Sequence, residues 1–397
     1  MNTKWPVVPL GELCDVQIGK TPTRARKEYW GAGSPWLSIA DMNQGWDLVS
    51  TKETITQFAI KDCNCRKVEP GTALLSFKLS VGKVGIARIP MYTNEAIAHL
   101  PVRDRKRVEV RFLCRALLAL DLNEGTDRAA MGATLNKAKL NQIRIPLPPI
   151  EEQRRIADIL HKAHAGRANR QSSLTKLDDL AQSIFFELFG DPVTNPKGWP
   201  EDKLLADCTD IMSGITKGRK LPAGTTTRKV PYLAVVNVQD RRLDLNTVKV
   251  IEATEGEISR YRLKHGDLLL TEGGDPDKLG RGSLWNDEIS ECIHQNHIFR
   301  VRVTDDCLTP LFLNWLVGSE RGKRYFLKSA KQTTGIASIN LRQLRAFPLL
   351  TPPLALQQRF SAAIESVSAV TAQVQESFTV QDSLFASLQY RAFRGEL

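Results

Sequence analysis

The chain contains no uninterrupted apolar run approaching the ~18 residues that a membrane-spanning helix needs. Its first residues, Met1-Asn2-Thr3-Lys4-Trp5-Pro6, lack the apolar core of a secretory signal. A cytoplasmic protein that does not engage a membrane is expected. Its seven cysteines (Cys14, Cys63, Cys65, Cys114, Cys208, Cys292, Cys307) form an odd set without a C-x-x-C pair, so they read as reduced thiols and not as a disulfide framework. With 42% apolar and 25% charged residues the composition is that of a globular protein. A disordered or collagen-like chain is excluded.

Catalytic signatures are missing as well. Gly19-Lys20-Thr21 matches the end of a P-loop, but the first glycine of G-x-x-x-x-G-K-T falls at Cys14, and without it the phosphate cradle does not form. No Asn/Asp-Pro-Pro-aromatic tetrapeptide occurs, nor any glycine-rich βα turn suited to S-adenosylmethionine; neither Pro148-Pro149 nor Pro352-Pro353 is followed by an aromatic residue. Asp191 with Glu201-Asp202-Lys203 imitates a nuclease D…E-x-K set, a spacing that charged segments produce by chance. Cys292-x-His294-x-x-His297 offers three metal-type ligands without a fourth, and its counterpart, Met91–Ala96, has none. His161 and His164 share a helix face, which is two ligands and not a site. Nothing assembles a nucleophile, a base and oxyanion donors. The chain reads as a binding protein with no catalytic residue, metal site or cofactor of its own.

What is present is positive charge and repetition. At 397 residues the chain is long enough for two or three domains, and its formal net charge of +11 calls for a polyanionic partner, most simply nucleic acid. Compared with itself, the chain is one unit written twice. Trp5-Pro6, Leu10 and Cys14 return as Trp199-Pro200, Leu204 and Cys208; Pro35-Trp36-Leu37 returns as Pro231-Tyr232-Leu233, and Gly71-x-x-Leu74 as Gly266-x-x-Leu269. Gly132 corresponds to Gly335, and Gln153, Arg155 and Ile156 to Gln357, Arg359 and Phe360.

Each copy opens with a region of short β-rich runs, such as Lys83–Ile89 and His297–Val303, interleaved with amphipathic helical stretches such as Val110–Leu122 and Pro310–Ala330. Each closes with a long helix. No proline interrupts Ile150–Phe189 or Leu354–Phe393, and a Pro-Pro pair stands before both. Steps of four and three visit a mostly apolar seam that includes Ile156, Leu160, Leu174, Leu177, Ile184 and Leu188 in the first helix. In the second they visit Phe360, Ile364, Val367, Val374, Phe378, Phe385 and Leu388. Polar Arg167, Arg170, Thr371 and Gln381 interrupt it. Forty helical residues extend about 60 Å, too far to bury such a stripe within one compact domain, so the two helices are expected to pack on each other as an antiparallel coiled coil about a pseudo-twofold axis. The expected fold class is therefore α+β: two mixed α/β domains in tandem, 1–149 and 195–352, followed by long helices at 150–190 and 353–394.

Charge follows this partition. Residues 1–149 carry 22 Lys and Arg against 14 Asp and Glu, and residues 195–352 carry 24 against 19, whereas both helical segments are one charge acidic. Phosphate contacts belong to the globular halves. Two Gly-containing basic loops recur at equivalent places: Lys20, Thr21, Arg24, Arg26 and Lys27 in the first copy, Lys217, Arg219 and Lys220 in the second. Cations and backbone N–H groups there suit phosphate contact, and arginine also reads guanine edges. Lys78 and Lys83, matched loosely by Lys278 and Arg281, are further candidates, as are Lys137 and Lys139. Arg103-Asp104-Arg105-Lys106-Arg107 lacks a basic counterpart and reads as a solvated face.

Two basic domains, each followed by a Pro-Pro-initiated long helix, resemble the specificity subunits of type I restriction–modification systems over the whole chain. The resemblance is carried by Trp5-Pro6…Leu10-x-x-Leu13 with Trp199-Pro200…Leu204, by Pro146-Leu147-Pro148-Pro149-Ile150-Glu151-Glu152-Gln153-Arg154-Arg155-Ile156, and by Leu349-x-x-Pro352-Pro353-Leu354-x-x-Gln357-Gln358-Arg359-Phe360. The helix ends Phe189-Gly190-Asp191 and Phe393-Arg394-Gly395-Glu396-Leu397 add to it. The second copy departs at Leu356, which replaces the glutamate before Gln357. The resemblance implies that each globular half is a target-recognition domain reading one half of a bipartite double-stranded DNA sequence. It implies that the helices set the gap and dock two modification (methyltransferase) subunits. S-adenosylmethionine would then sit on those partners, and ATP and Mg²⁺ on restriction subunits. Three alternatives stay open: a duplicated coiled-coil scaffold for protein partners, the specificity subunit of a related methylation-based defence system, and a nuclease or methyltransferase in its own right.

Overall fold

A computed structural model describes residues 4–120, 122, 127–129, 132–275, 279–333 and 336–397, with backbone alone at 127–129, 132–134, 332–333 and 336. The chain forms two compact units. Unit 1 is Met1–Ser172 with Val374–Leu397, and unit 2 is Ser173–Gln373. The long helices Ile150–Phe189 and Leu354–Arg394 thus each give one half to each unit.

Unit 1 contains helices α1 (Leu10–Leu13), α2 (Gln57–Asp62), α3 (Val110–Ala119), α4 (Lys137–Gln142) and the first part of α5 (Ile150–Phe189). Its main sheet orders the strands Gln17–Ile18, Ile97–Leu100, Ala73–Ser76, Val84–Ala87 and Asp47–Leu48. Side chains on successive strand residues point to opposite faces, so Ala73 and Leu75 join Phe112 and Leu113 of α3 in one core while Leu74 joins Leu37, Leu48 and Met91 in another. Both faces are covered, which is why the central strands are apolar apart from the buried Ser76 and His99. A second sheet pairs Trp30–Leu37 with Glu53–Ile55 and Tyr92–Thr93.

Unit 2 repeats the plan with α6 (Leu205–Cys208), α7 (Glu255–Tyr261), α8 (Pro310–Val317), α9 (Glu320–Ser329), α10 (Leu341–Arg345) and the first part of α11 (Leu354–Arg394). Its four-stranded sheet runs Thr209–Ser213, Ile298–Val303, Leu268–Thr271 and Gly282–Leu284. Leu268 and Leu270 face the core under α8, and Leu269 faces the opposite one. Leu270 lies across from Phe299 as Leu75 lies across from Ala98. The helical stretch expected over Pro310–Ala330 is two helices. Gly318 closes α8 by donating its N–H to Asn314, Ser319 opens α9, and the bare Gly322 lets α9 fold back onto the carbonyl of Val317.

The long helices pack antiparallel within each unit. In unit 1 the start of α5 meets the end of α11: Ile156 and Leu160 share a core with Phe385, Leu388, Ala392 and Phe393, Arg167 pairs with Asp382, and Arg155 donates to the carbonyl of Leu397 at 2.9 Å. In unit 2 the end of α5 meets the start of α11. Phe185 and Phe189 lie 5.5 and 5.3 Å from Phe360, and Ile184, Leu188, Ile364 and Val367 join that core. The most buried positions in this half of α5 are Ala181, Phe185 and Phe189, steps of four, while Ile184 and Leu188 are half-buried. A straight helix drifts about 20° per heptad from a strict seven-residue seam, and here it drifts toward α8. Leu174 is buried; Leu177, Val374 and Phe378 are half-buried and belong to neither core.

A buried glutamine fastens each globular fold to its helix. Gln153, fully buried, donates to the carbonyls of Arg107 (2.9 Å) and Pro148 (2.8 Å) and accepts from the amide of Glu109 (2.9 Å). Gln357 does the same with Cys307, Pro352 and Thr309, each at 2.8 Å. A second device is inverted between the units. Arg115 of α3 lies with its guanidinium 4.2 Å from the ring of Trp46, whereas at the corresponding place on α8 Trp315 receives Arg241 at 3.9 Å. Trp46 and Arg241 each stand immediately before an equivalent short strand. The pair is kept and its members are exchanged, as a cation–π contact permits.

Candidate nucleic-acid interface

The two basic loops leave equivalent strands, Gln17–Ile18 and Thr209–Ser213, through glycines that no other residue can replace without displacing backbone. A Cβ on Gly19 would come within 2.2 Å of the Asn94 carbonyl, and one on Gly214 within 1.9 Å of that of His294. The next amides, Lys20 and Ile215, donate to Thr93 and His294 at 2.9 and 2.8 Å. Each loop is thereby sewn to the strand that completes the smaller sheet.

Beyond that point the loops are pinned by carboxylates. In unit 1 Arg24 makes a bidentate pair with Glu53 and stacks 3.8 Å from Trp30, which meets Trp36 edge-on at 4.9 Å. Arg26 bonds Tyr29 (2.6 Å) and Asp62 (3.3 Å), Thr21 bonds Glu95, and Lys20 reaches the Cys63 carbonyl at 3.0 Å. In unit 2 Arg219 holds Glu257 at 2.5 and 2.6 Å and the Glu252 carbonyl at 2.9 Å. The Arg219 bonds hold the Glu257 carboxyl down at about 2, and bonding to Arg24 likewise lowers Glu53. Surface pairs of this kind contribute about 1 kcal/mol or less; their effect is to fix where the loops sit.

The charges left for an external anion are fewer than the sequence count. Lys27, Lys137, Lys217 and Lys220 are exposed and make no side-chain ion pair among the described residues. Lys78 lies half-buried over Phe77, and Lys83 is turned to Asn43 at 2.7 Å, next to a 410 Å³ hollow lined by Asp41, Gln44 and Lys52. Arg281 bonds Gln239 at 3.0 Å and lines a 280 Å³ cavity with Arg242, Lys323 and Asp240, three cations against one carboxylate. Lys278 lies outside the described residues. The structure thus gathers Lys20 to Lys27 on one side of unit 1, sets Lys83 and Lys137 elsewhere, and adds Arg242 and Lys323, which no local motif singles out.

Two buried histidines stand beside these loops. His99 contacts the Thr93 hydroxyl at 2.6 Å and His294 the Tyr261 carbonyl at 3.2 Å; burial pushes both down to about 4. His294 sits on the short strand Ile293–His294, which Cys292 immediately precedes, while His297 turns outward to Glu272. The three do not converge on a metal.

The family model of the type I restriction modification DNA specificity domain matches residues 2–173. Residues 2–173 thus resemble the DNA specificity domain of type I restriction–modification systems, and the chain is similar to the specificity subunits of such systems. Its relatives include the MjaIX specificity subunit of Methanocaldococcus jannaschii, 30% identical over 230 residues that cover 53% of this chain and 52% of the relative. The EcoKI specificity subunit of Escherichia coli is 24% identical over 283 residues, covering 67% and 61%. The matched chain therefore spans about half to three-fifths of these relatives' length. The crystal structure of the type I S subunit from M. genitalium superposes with a TM-score of 0.60 at 13% identity, covering 99% of this chain and 96% of that one. A chain from work on complex assembly and conformational transition of the type I R-M system gives 0.55 at 17%, covering 99% and 98%. At these identities the likeness concerns the fold. Among the described residues no helix is long and apolar enough to cross a membrane.

Proposed function

We propose that the chain is a type I restriction–modification specificity subunit, each unit of which reads one half of a bipartite double-stranded DNA target. The long helices set the gap between the half-sites and dock two modification (methyltransferase) subunits, with ATP-dependent restriction subunits joining in the cytoplasm. The chain selects the address, and S-adenosylmethionine, ATP and Mg²⁺ serve the partners.

The observation that carries this reading is the duplication with divergence: two folds with the same glycine-anchored basic loop, but with different side chains on it. Lys27, with the Arg24–Trp30 stack, is what unit 1 presents; Lys217 and Lys220 are what unit 2 presents. Equivalent frames with unequal side chains suit an asymmetric target. Half-sites read from one side of B-DNA lie about 34 Å apart, a distance that helices can hold and a Gly/Ser linker cannot. Leu180, Phe186, Val380, Leu384 and Tyr390 leave apolar surface exposed on the helices, which suits protein partners more than phosphates.

Methylated adenines mapped in DNA from cells carrying this chain and its modification partner give the target. Exchanging residues 1–149 for the homologous domain of a relative changes one half-site only; a change in both halves refutes the assignment. Inserting a heptad into one helix alters the gap or abolishes binding, and an unchanged gap with full activity refutes the ruler.

A further inference from the structure

Two of the seven thiols meet. Cys208, fully buried at the end of α6, has its sulfur 3.1 Å from that of half-buried Cys307, in the connection that leads into α8. Their sulfurs and a carboxylate oxygen of Asp305 all lie within 4.8 Å of one another. Asp305 is tied to Lys203 at 3.0 Å and accepts the Cys307 amide at 3.0 Å. The backbone on both sides is already joined, since Thr304 donates its N–H to the Cys208 carbonyl at 2.9 Å and the Cys307 carbonyl is held by Gln357. The sulfurs are therefore brought together by a frame that does not depend on them. In unit 1 the position matching Cys208 is Cys14, but the residue bonded by Gln153 is Arg107, so the pair is particular to unit 2.

We propose that Cys208 and Cys307 are an oxidative modification site, which a hydroperoxide converts to a disulfide across unit 2. A divalent metal is the rival occupant, and two observations weigh against it. The Lys203 ammonium already occupies the carboxylate that would be the third ligand, placing a positive charge where a cation would sit. Two thiols and one carboxylate also leave a structural zinc site one ligand short.

The half-buried Cys307 is the entry point. Its thiolate attacks one peroxide oxygen, the O–O bond breaks, and the released hydroxide takes a proton to leave as water, giving a sulfenic acid on Cys307. The Cys208 sulfur, giving up its proton to the Asp305 carboxylate or to solvent, attacks the Cys307 sulfur. The S–S bond forms, the S–O bond breaks, and the second oxygen leaves as water. Two thiols are oxidised by two electrons and one hydroperoxide is reduced. Burial pushes the Cys208 thiol up to about 12, consistent with its acting second, as the resolving group.

The test uses the full chain with hydrogen peroxide as the probe. After quenching with a thiol-blocking reagent, the count of free thiols in denaturant falls by two from seven. The intact mass falls by two hydrogens. Tryptic digestion yields Leu204–Lys217 linked to Val303–Arg321, and the link disappears on reduction. C307S abolishes the loss of two thiols, whereas C63S leaves it unchanged. Stepwise addition of oxygen to a cysteine without cross-linking overturns the proposal, and so does linkage of Cys63 to Cys65 in place of this pair. Zinc bound at one equivalent that protects both thiols from the blocking reagent also overturns it. Wild-type peptide mapping decides the matter even where C208S or C307S folds poorly.

Discussion

Replacing Gln153 by leucine keeps the side-chain volume and removes every polar atom of the clamp. The Glu109 amide and the carbonyls of Arg107 and Pro148 then lose a partner in a fully buried setting. Each orphaned buried group costs roughly 1–3 kcal/mol. The connection before α3 can relax to rehydrate part of this, so the lower part of the summed range applies, about 3–5 kcal/mol. Glutamate distinguishes the polar account from a merely steric one. Its carboxyl still accepts from Glu109, but it sets an oxygen against two carbonyl oxygens unless it is protonated. Its folded-state pKa is therefore raised. A raised carboxyl pKa means that stability is retained below the unfolded value near 4.3 and lost as pH rises through the folded one. Q153E is thus expected to approach the wild type below about pH 4 and to approach Q153L at neutral pH. Urea titration of the full chain, followed by hydrogen exchange at the Glu109 amide, reads both effects, and Q357L should act in the same way on Thr309. A loss below about 1 kcal/mol for Q153L, or identical behaviour of Q153E and Q153L at every pH, refutes the clamp.

Other consequences are open to direct measurement. His99 and His294, both held near 4, stay neutral in the folded chain while the unfolded chain takes up protons below about 6.5. Stability therefore falls as pH drops from 6.5 toward 5, by up to about 1.4 kcal/mol per pH unit for each histidine, and is flat above 7. Urea midpoints that do not move over that window contradict this. The exchanged cation–π pair predicts that W46R and R115W each cost about 2 kcal/mol and that the double variant, which reproduces the arrangement of unit 2, recovers at least half of the summed loss; additive losses refute the equivalence. K217A with K220A should weaken DNA binding alike for all sequences and reduce the slope of log affinity against log salt by about 1 for each phosphate no longer neutralised. A slope equal to that of the wild type removes these lysines from the interface.

The parts of the fold that were legible are those set by local rules. Proline pairs fix where the long helices begin: against the expected 150–190 and 353–394, the helices run Ile150–Phe189 and Leu354–Arg394. Of the two β-rich runs, His297–Val303 contains the strand Ile298–Val303, and the one expected over Lys83–Ile89 is confined to Val84–Ala87. The break inside Pro310–Ala330 was written in Gly318-Ser319, a weak local signal that a continuous amphipathic pattern outweighs. The candidate interface was less legible because charge in a sequence carries no partner. Arg24 and Glu53 are 29 positions apart, Arg26 and Asp62 36, Arg219 and Glu257 38. Folding alone decides that these cations are occupied and that Lys27, Lys217 and Lys220 make no ion pair among the described residues. The same holds for Gln153, conspicuous beside Pro-Pro, whose partners lie 44 and 46 residues upstream.

Unit 1 is discontinuous along the chain and unit 2 is not. A growing polypeptide can finish unit 2 once residue 373 has left the ribosome. By then α3 and the start of α5 have been made but still lack Phe385, Leu388, Ala392 and Phe393, which complete their core. The half synthesised first is the half that matures last. Removing residues 374–397 consequently injures the unit that holds Leu10 and Leu13 and spares the one that holds residue 373, and a chain stalled late in translation carries an open apolar groove that chaperones must shield.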